Sequence, residues 1–153
     1  MAITSTASHS KPYVRHRDFD ERLADVKKAL VSILQLDISL QMKKRLVGYV
    51  IWEIATYLNG NFKGRYRSKG AMVPAATIQR DHVNQKARTI ERLLANPEQM
   101  DAILDDLVHC VVTKEEHARL TAYSKMKPDV DGWDRYRDVG IEVMDMLKGE
   151  RFI

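Results

Sequence analysis

The stretch that decides the fold is CVVTKEEHARL, residues 110–120. Its apolar start predicts a short buried strand. Thr113 is followed three residues later by Glu116, the spacing of a capping box, in which each of the two side chains hydrogen-bonds to the other residue's backbone N–H. A helix should therefore begin directly after Thr113. His117 would then lie in the first turn of this helix.

A second short strand is predicted upstream, in ATIQRDHV, residues 76–83. The alternation of apolar and polar residues favours a strand, and the strand ends on the adjacent pair Asp81 and His82. Two helices separate the two strands. The first spans 84–96 and stops at Asn96-Pro97, because proline cannot continue a helix, and the second spans 97–108 with proline at its first position.

The N-terminal part predicts two longer helices, over 18–36 and 39–58, which we expect to pack as an antiparallel pair. Their apolar residues recur at steps of three and four, as one face of a helix requires. Asn59-Gly60 should end the second helix, since glycine tolerates the left-handed conformation found at helix ends. The glycine-rich, basic segment 61–77 that follows is predicted to be a loop.

The order of these elements resembles the ββα-metal core of HNH nucleases: a strand ending in Asp-His, a second strand, and a helix bearing a histidine. DHV resembles the first motif of that family, and CVVTKEEHARL resembles its closing motif. The resemblance covers about residues 78–120. It implies that Asp81 and His117 bind one divalent cation (Mg²⁺, Mn²⁺ or Zn²⁺) and that His82 is the general base that activates water.

The sequence departs from the family at one position and in the segment between the strands, which is longer than a simple hairpin and holds two helices. HNH nucleases carry an asparagine about nine residues before the last histidine, and Val108 stands there in this chain. This favours an alternative function, in which a catalytically inactive HNH-like scaffold of phage or bacterial origin acts as a protein-binding inhibitor or interaction module. A purely structural reading also stays open, with Asp81 and His82 capping a strand or helix and His117 facing solvent.

Basic residues predict nucleic acid as a partner of the chain. The formal net charge is +4, a mild sign of a polyanionic partner. In FKGRYRSKG, residues 62–70, basic groups that could meet phosphates alternate with aromatic rings that could stack on bases. The alternative is a solvated loop. The predicted nucleic-acid-binding residues are Lys63, Arg65, Tyr66, Arg67, Lys69, Arg80 and Lys86.

The predicted fold class is α+β and predominantly helical, with an N-terminal helix pair, a ββα-metal-like core with inserted helices, and a C-terminal helical tail. We expect a flexible tail over 1–17 and a single domain over 18–153. Within the domain, the helical pair covers 18–60, the basic loop 61–77, the HNH-like core 78–120 and the C-terminal extension 121–153. The single cysteine and the lack of an apolar leader predict a cytoplasmic protein without a membrane partner. The oligomeric state does not follow from the sequence.

Overall fold

The computed structural model describes residues 12–153, and its secondary structure is predominantly helical with one small sheet. The α-helices of this part are α1 (Phe19–Gln35), α2 (Leu40–Trp52), α3 (Lys86–Ala95), α4 (Met100–Asp105), α5 (Lys114–Met126) and α6 (Trp133–Asp138). Its strands are β1 (Tyr66–Ser68), β2 (Ile78–His82), β3 (His109–Thr113), β4 (Val143–Asp145) and β5 (Glu150–Arg151). The predicted α+β class is confirmed.

Helices α1 to α4 form a helical layer around one apolar cluster. Leu30 of α1 packs with Val47 and Ile51 of α2, and Leu93 of α3 and Ile103 of α4 close the cluster. All five side chains are buried, because the apolar spacing places them on the inward face of each helix. The helices expected at 18–36, 39–58 and 84–96 therefore exist, with small shifts at their ends.

The second long helix changes its geometry before it ends. After Trp52 the chain continues as a π-helix over Glu53–Leu58. The wider turn leaves backbone carbonyls without a partner in the helix, and side chains from outside the helix hydrogen-bond to them. The Asn59 amide donates to the Ile54 carbonyl, and the His109 Nδ1 contacts the Ala55 carbonyl. Gly60 then turns the chain with a φ of +97°, as expected for a glycine at a helix end.

The sheet has the strand order β2-β3-β1-β4-β5. Strand β1 lies in its centre, parallel to β3 and antiparallel to β4. The loop predicted over 61–77 is therefore wrong in its middle, where Tyr66–Ser68 forms this central strand. The predicted helical tail is also wrong beyond Asp138, because the chain there forms β4 and β5, which pair as an antiparallel edge.

The predicted strand–strand–helix unit is present. Strands β2 and β3 pair antiparallel, with Asp81 opposite Cys110 and His82 opposite His109. The capping box is confirmed: the Thr113 hydroxyl accepts from the Glu116 N–H, and the Glu116 carboxylate accepts from the Thr113 N–H. Helix α5 thus begins where the sequence predicted.

A second apolar cluster joins the sheet to α5 and α6. Cys110 and Val112 of β3 pack there with Leu120 of α5 and Tyr136 of α6. Asp81 lies on the same face of the sheet as Cys110, so its carboxylate points into this layer. This layer of sheet and two helices positions the candidate site.

The predicted tail over 1–17 lies partly outside the described residues, which begin at 12. Within the described part, the Tyr13 N–H donates to the Met146 carbonyl. No helix formed by residues 12–153 is long and apolar enough to cross a membrane.

Candidate active site

The structure brings Asp81 and His117 together, although they lie 36 positions apart in the numbering. The Asp81 Oδ1 is 3.2 Å from the His117 Nδ1. Asp81 is the next-to-last residue of β2, and His117 lies in the first turns of α5. The ββα arrangement therefore produces the contact. The His117 side chain keeps 31% of its surface exposed, which leaves the pair open to solvent on one side.

The Asp81 carboxylate is buried and already has strong partners. Its Oδ2 accepts from the Arg135 Nη2 at 2.9 Å and from the Tyr136 hydroxyl at 2.6 Å. Burial raises the pKa of Asp81, but the nearby His117, Arg135 and Tyr136 outweigh it, and the net pKa is lowered. The carboxylate is therefore ionised at neutral pH.

Arg135 also fixes the backbone that carries the site. Its Nη2 donates to the His82 carbonyl at 2.6 Å and to the Val83 carbonyl at 2.9 Å. Its Nη1 donates to the Ser124 hydroxyl at 3.1 Å, which ties α6 to α5. One buried guanidinium thus holds both the Asp81 carboxylate and the end of strand β2.

His82 occupies the opposite face of β2 from Asp81, as expected for adjacent strand residues. The pKa of His82 is lowered to about 4, first because its burial disfavours the charged form. Asp81 raises this pKa, and the cations Lys86 and Arg80 lower it further. At neutral pH the imidazole is neutral, so one ring nitrogen can accept a proton.

No side chain in the described part of the chain orients His82. Its Nδ1 is buried without a hydrogen-bond partner among residues 12–153. His109 lies opposite in the sheet, but its two ring nitrogens contact the Ala55 and Asn61 carbonyls instead. Val108, at the position where HNH nucleases carry asparagine, has an apolar side chain, and its hydrogen bonds to Val83 and Asp106 are made by its backbone.

Two donors of the site have a separation that suits one cation. Ligand atoms about 2.1 Å from a four-coordinate ion lie roughly 3.4 Å from each other, close to the 3.2 Å between the Asp81 Oδ1 and the His117 Nδ1. That Nδ1 is buried and, within residues 12–153, meets no acceptor in hydrogen-bond geometry. Adjacent ligand atoms of an octahedral Mg²⁺ lie roughly 3.0 Å apart, so the same two residues also fit a cation whose other ligands are water or phosphate.

A closed protein cage for a metal is not present in the described chain. Across residues 12–153, no three side chains of histidine, cysteine, aspartate or glutamate converge. The guanidinium of Arg135 also lies beside Asp81 and repels a second positive charge. Any cation at Asp81 and His117 would therefore be weakly held and exchangeable.

The predicted nucleic-acid-binding residues do not form one loop surface. Arg67 is 1% exposed, so a phosphate cannot reach it, and Arg65 is paired with the buried Asp145 through two hydrogen bonds. Tyr66 packs edge-on against Trp133, at 5.0 Å between ring centroids. An expected contact at Arg67 therefore has no support in the structure. The Arg65 side chain is 34% exposed with its guanidinium paired to Asp145, and Tyr66 is half-buried.

The four remaining predicted binding residues keep partial or full access to solvent. Lys63 and Lys69 are exposed, and Lys69 lies 3.3 Å from the Glu142 carboxylate. The Arg80 guanidinium lies over the Phe62 ring, 4.5 Å from its centroid, and Lys86 begins α3. Both Arg80 and Lys86 are close enough to His82 to affect its pKa.

The sequence prediction missed Arg135 and Tyr136. They lie in GWDRYRDVG, residues 132–140, where no motif spacing connects them to Asp81. One signal was available: a carboxylate on a buried strand face needs a cationic partner, and arginine is the residue best suited to that role. The sequence alone does not say which of the many arginines it is.

No protein-family model matches the chain, and no curated protein or solved structure matches it.

Proposed function

We propose that this protein is an HNH-like, metal-dependent nuclease that binds nucleic acid and hydrolyses phosphodiester bonds. The observation that carries the proposal is the 3.2 Å separation of the Asp81 Oδ1 and the His117 Nδ1 on a ββα unit. Asp81 and His117 would hold Mg²⁺, Mn²⁺ or Zn²⁺. Such a cation would stabilise the negative charge that develops on the phosphate.

His82 would be the general base of this reaction. Its low pKa keeps the imidazole neutral at physiological pH, so it can accept a proton from water. Asp81 and His82 point to opposite faces at the end of β2. In the proposed reaction the phosphate would lie at that end, with the cation on one side and His82 on the other. Arg80 and Lys86 supply positive charge near His82 for the phosphodiester.

The cellular setting of this activity would be the cytoplasm. The chain has one cysteine, Cys110, so it forms no intrachain disulfide, and that cysteine is buried in the sheet. A free cysteine and the absence of an intrachain disulfide are typical of proteins in a reducing compartment.

A nuclease assay with three variants tests the proposal. Supercoiled plasmid and a labelled single-stranded oligonucleotide are incubated with Mg²⁺, Mn²⁺ or Zn²⁺, and with EDTA. We expect metal-dependent cleavage that falls by at least about 100-fold in His82→Ala and is lost in His117→Ala. His16→Ala, which removes an exposed histidine in the N-terminal segment, is the matched control and should cleave normally. Cleavage that persists in EDTA or in His82→Ala would contradict the proposal.

A second candidate function is an inactive HNH-like scaffold that binds a host protein. It is favoured by the partners of Asp81, whose second oxygen is occupied by Arg135 and Tyr136, and by the lack of a residue that orients His82. Calorimetric titration with Mn²⁺ separates the two. Binding of Mn²⁺ that His117→Ala abolishes supports the nuclease, whereas no metal binding and no cleavage support the scaffold.

A further inference from the structure

A positively charged groove lies between α2 and α3, outside the Asp81 and His117 pair. It has a volume of about 430 Å³. Its walls include Lys44, Arg45, Gly48 and Tyr49 from α2, and Lys86 and Ile90 from α3. None of the residues that line it is acidic.

The three cations of the groove are not neutralised. Ion pairs with carboxylates occupy other lysines and arginines of the chain, including Lys27 and Arg92. Within residues 12–153, Lys44, Arg45 and Lys86 have no carboxylate within 4.0 Å of their charged nitrogens. Three like charges around one groove repel each other, and a bound polyanion would relieve that repulsion.

An exposed aromatic ring lies beside these cations. Tyr49 is 68% exposed, and Trp52, one turn further along the same face of α2, is 40% exposed. A ligand that covered these rings would remove apolar surface from water, which favours binding.

Gly48 leaves room for Lys86, because a Cβ at position 48 would lie 3.2 Å from the Lys86 Cε.

Lys86 connects the groove to His82. Its side chain lies against Gly48 in the groove, and Lys86 begins α3 only four residues after His82. Arg80, on the other side, lies over the Trp52 ring, with 5.7 Å between the guanidinium carbon and the ring centroid. Because Arg80 and His82 lie on the same face of β2, the surface that begins on α2 extends through Trp52 and Arg80 towards the general base proposed above.

We infer that the groove between α2 and α3 binds single-stranded nucleic acid, with Lys44, Arg45 and Lys86 on the phosphates and Tyr49 stacked on a base. A single strand is favoured over a duplex because only unpaired bases offer a free ring face to an aromatic side chain. This inference deepens the proposed function by naming its substrate class. It concerns binding alone, so it can be tested without metal or cleavage.

Fluorescence anisotropy with the full chain in EDTA provides the test. The probes are a labelled 12-nucleotide DNA strand, the same sequence as RNA, and the matching DNA duplex. We expect tighter binding of the single strands than of the duplex. The logarithm of the binding constant should fall with the logarithm of salt concentration, and Lys44→Gln and Arg45→Gln should each reduce that slope by about 0.7. Lys125→Gln, an exposed lysine of α5, is the control and should leave the slope unchanged.

Tyr49 provides an independent test. Tyr49→Leu should weaken binding of the single strand by about tenfold, whereas Tyr49→Phe, which keeps a stacking ring, should bind within about twofold of the wild type. Tyr49 is exposed, so neither change should alter the fold. Equal affinity for duplex and single strand, or an unchanged salt slope in Lys44→Gln and Arg45→Gln, would overturn the inference. Cleavage of the plasmid with no groove effect would leave the nuclease proposal standing and remove only this one.

Discussion

Replacing Arg135 with methionine should destabilise the fold through the carboxylate of Asp81. The Arg135 side chain is 4% exposed, and its Nη2 donates to the Asp81 Oδ2 and to the carbonyls of His82 and Val83. Methionine fills a similar volume but donates nothing. Asp81 would then remain charged in the layer between the sheet and α5, with Tyr136 as its remaining strong donor.

The expected cost is large because the charge that remains is buried. Removing one partner of a buried ion pair costs about 3–5 kcal/mol, since the other charge stays desolvated. Many single domains have about 5–15 kcal/mol of stability in total, so the variant should still fold at low temperature. The double variant Asp81→Leu with Arg135→Met removes both charges. It should be more stable than the sum of the single variants predicts, by at least about 1.5 kcal/mol.

Urea unfolding followed by circular dichroism measures these free energies. Arg137→Met is the matched control, because Arg137 lies in the same helix but pairs on the surface with Asp134, and its loss should cost under about 1 kcal/mol. A cost below about 1 kcal/mol for Arg135→Met, or strict additivity in the double variant, would show that the guanidinium does not hold the Asp81 charge.

Two further predictions concern the rest of the sheet. The hydrogen bonds from Arg65 hold the pKa of Asp145 below its ordinary value, so the stability that this carboxylate contributes is present above its unfolded pKa of about 3.9 and is lost as the pH falls through its folded pKa. Asp145→Asn should therefore be less stable than the wild type by about 2 kcal/mol at pH 7, with the difference shrinking at pH 3; an equal difference at both pH values in denaturant unfolding would contradict this. Gly64→Ala should cost about 1–3 kcal/mol, because the added methyl collides with the buried His109 imidazole while the backbone φ of −63° suits alanine. An unchanged urea midpoint would show that the imidazole moves aside freely.

Helices with strong periodicity and clear end signals were predictable from the sequence. The apolar spacing predicted α1, and the capping box at Thr113 predicted the start of α5 within the correct residue. Strand β2 was found from its alternation of apolar and polar residues, and β3 from its short apolar run. In each case the local sequence carries the information, since the hydrogen bonds and the apolar face lie within one short segment.

The remaining elements depend on contacts between distant segments. Strand β1 is three residues long and lies in a basic, glycine-rich stretch, and only its pairing with β3 and β4 makes it a strand. The burial of Arg67 and the partners of Asp81 were not predicted for the same reason, because they too depend on segments that are far apart in the sequence. Sequence reasoning did anticipate that Asp81 and His117 lie together, because the resemblance to HNH nucleases implied that both residues bind one cation. Whether the pair acts on a metal and a phosphate stays a prediction.

The position of Arg135 along the chain has a consequence for biosynthesis. The whole ββα unit has left the ribosome once Met126 has emerged, but Arg135, whose guanidinium neutralises Asp81, emerges nine residues later. During that interval burial of the Asp81 carboxylate would be unfavourable, because its cationic partner has not yet been synthesised. Stable packing of the sheet against α5 should therefore require the α6 segment. A fragment that ends at Met126 should not fold stably by itself.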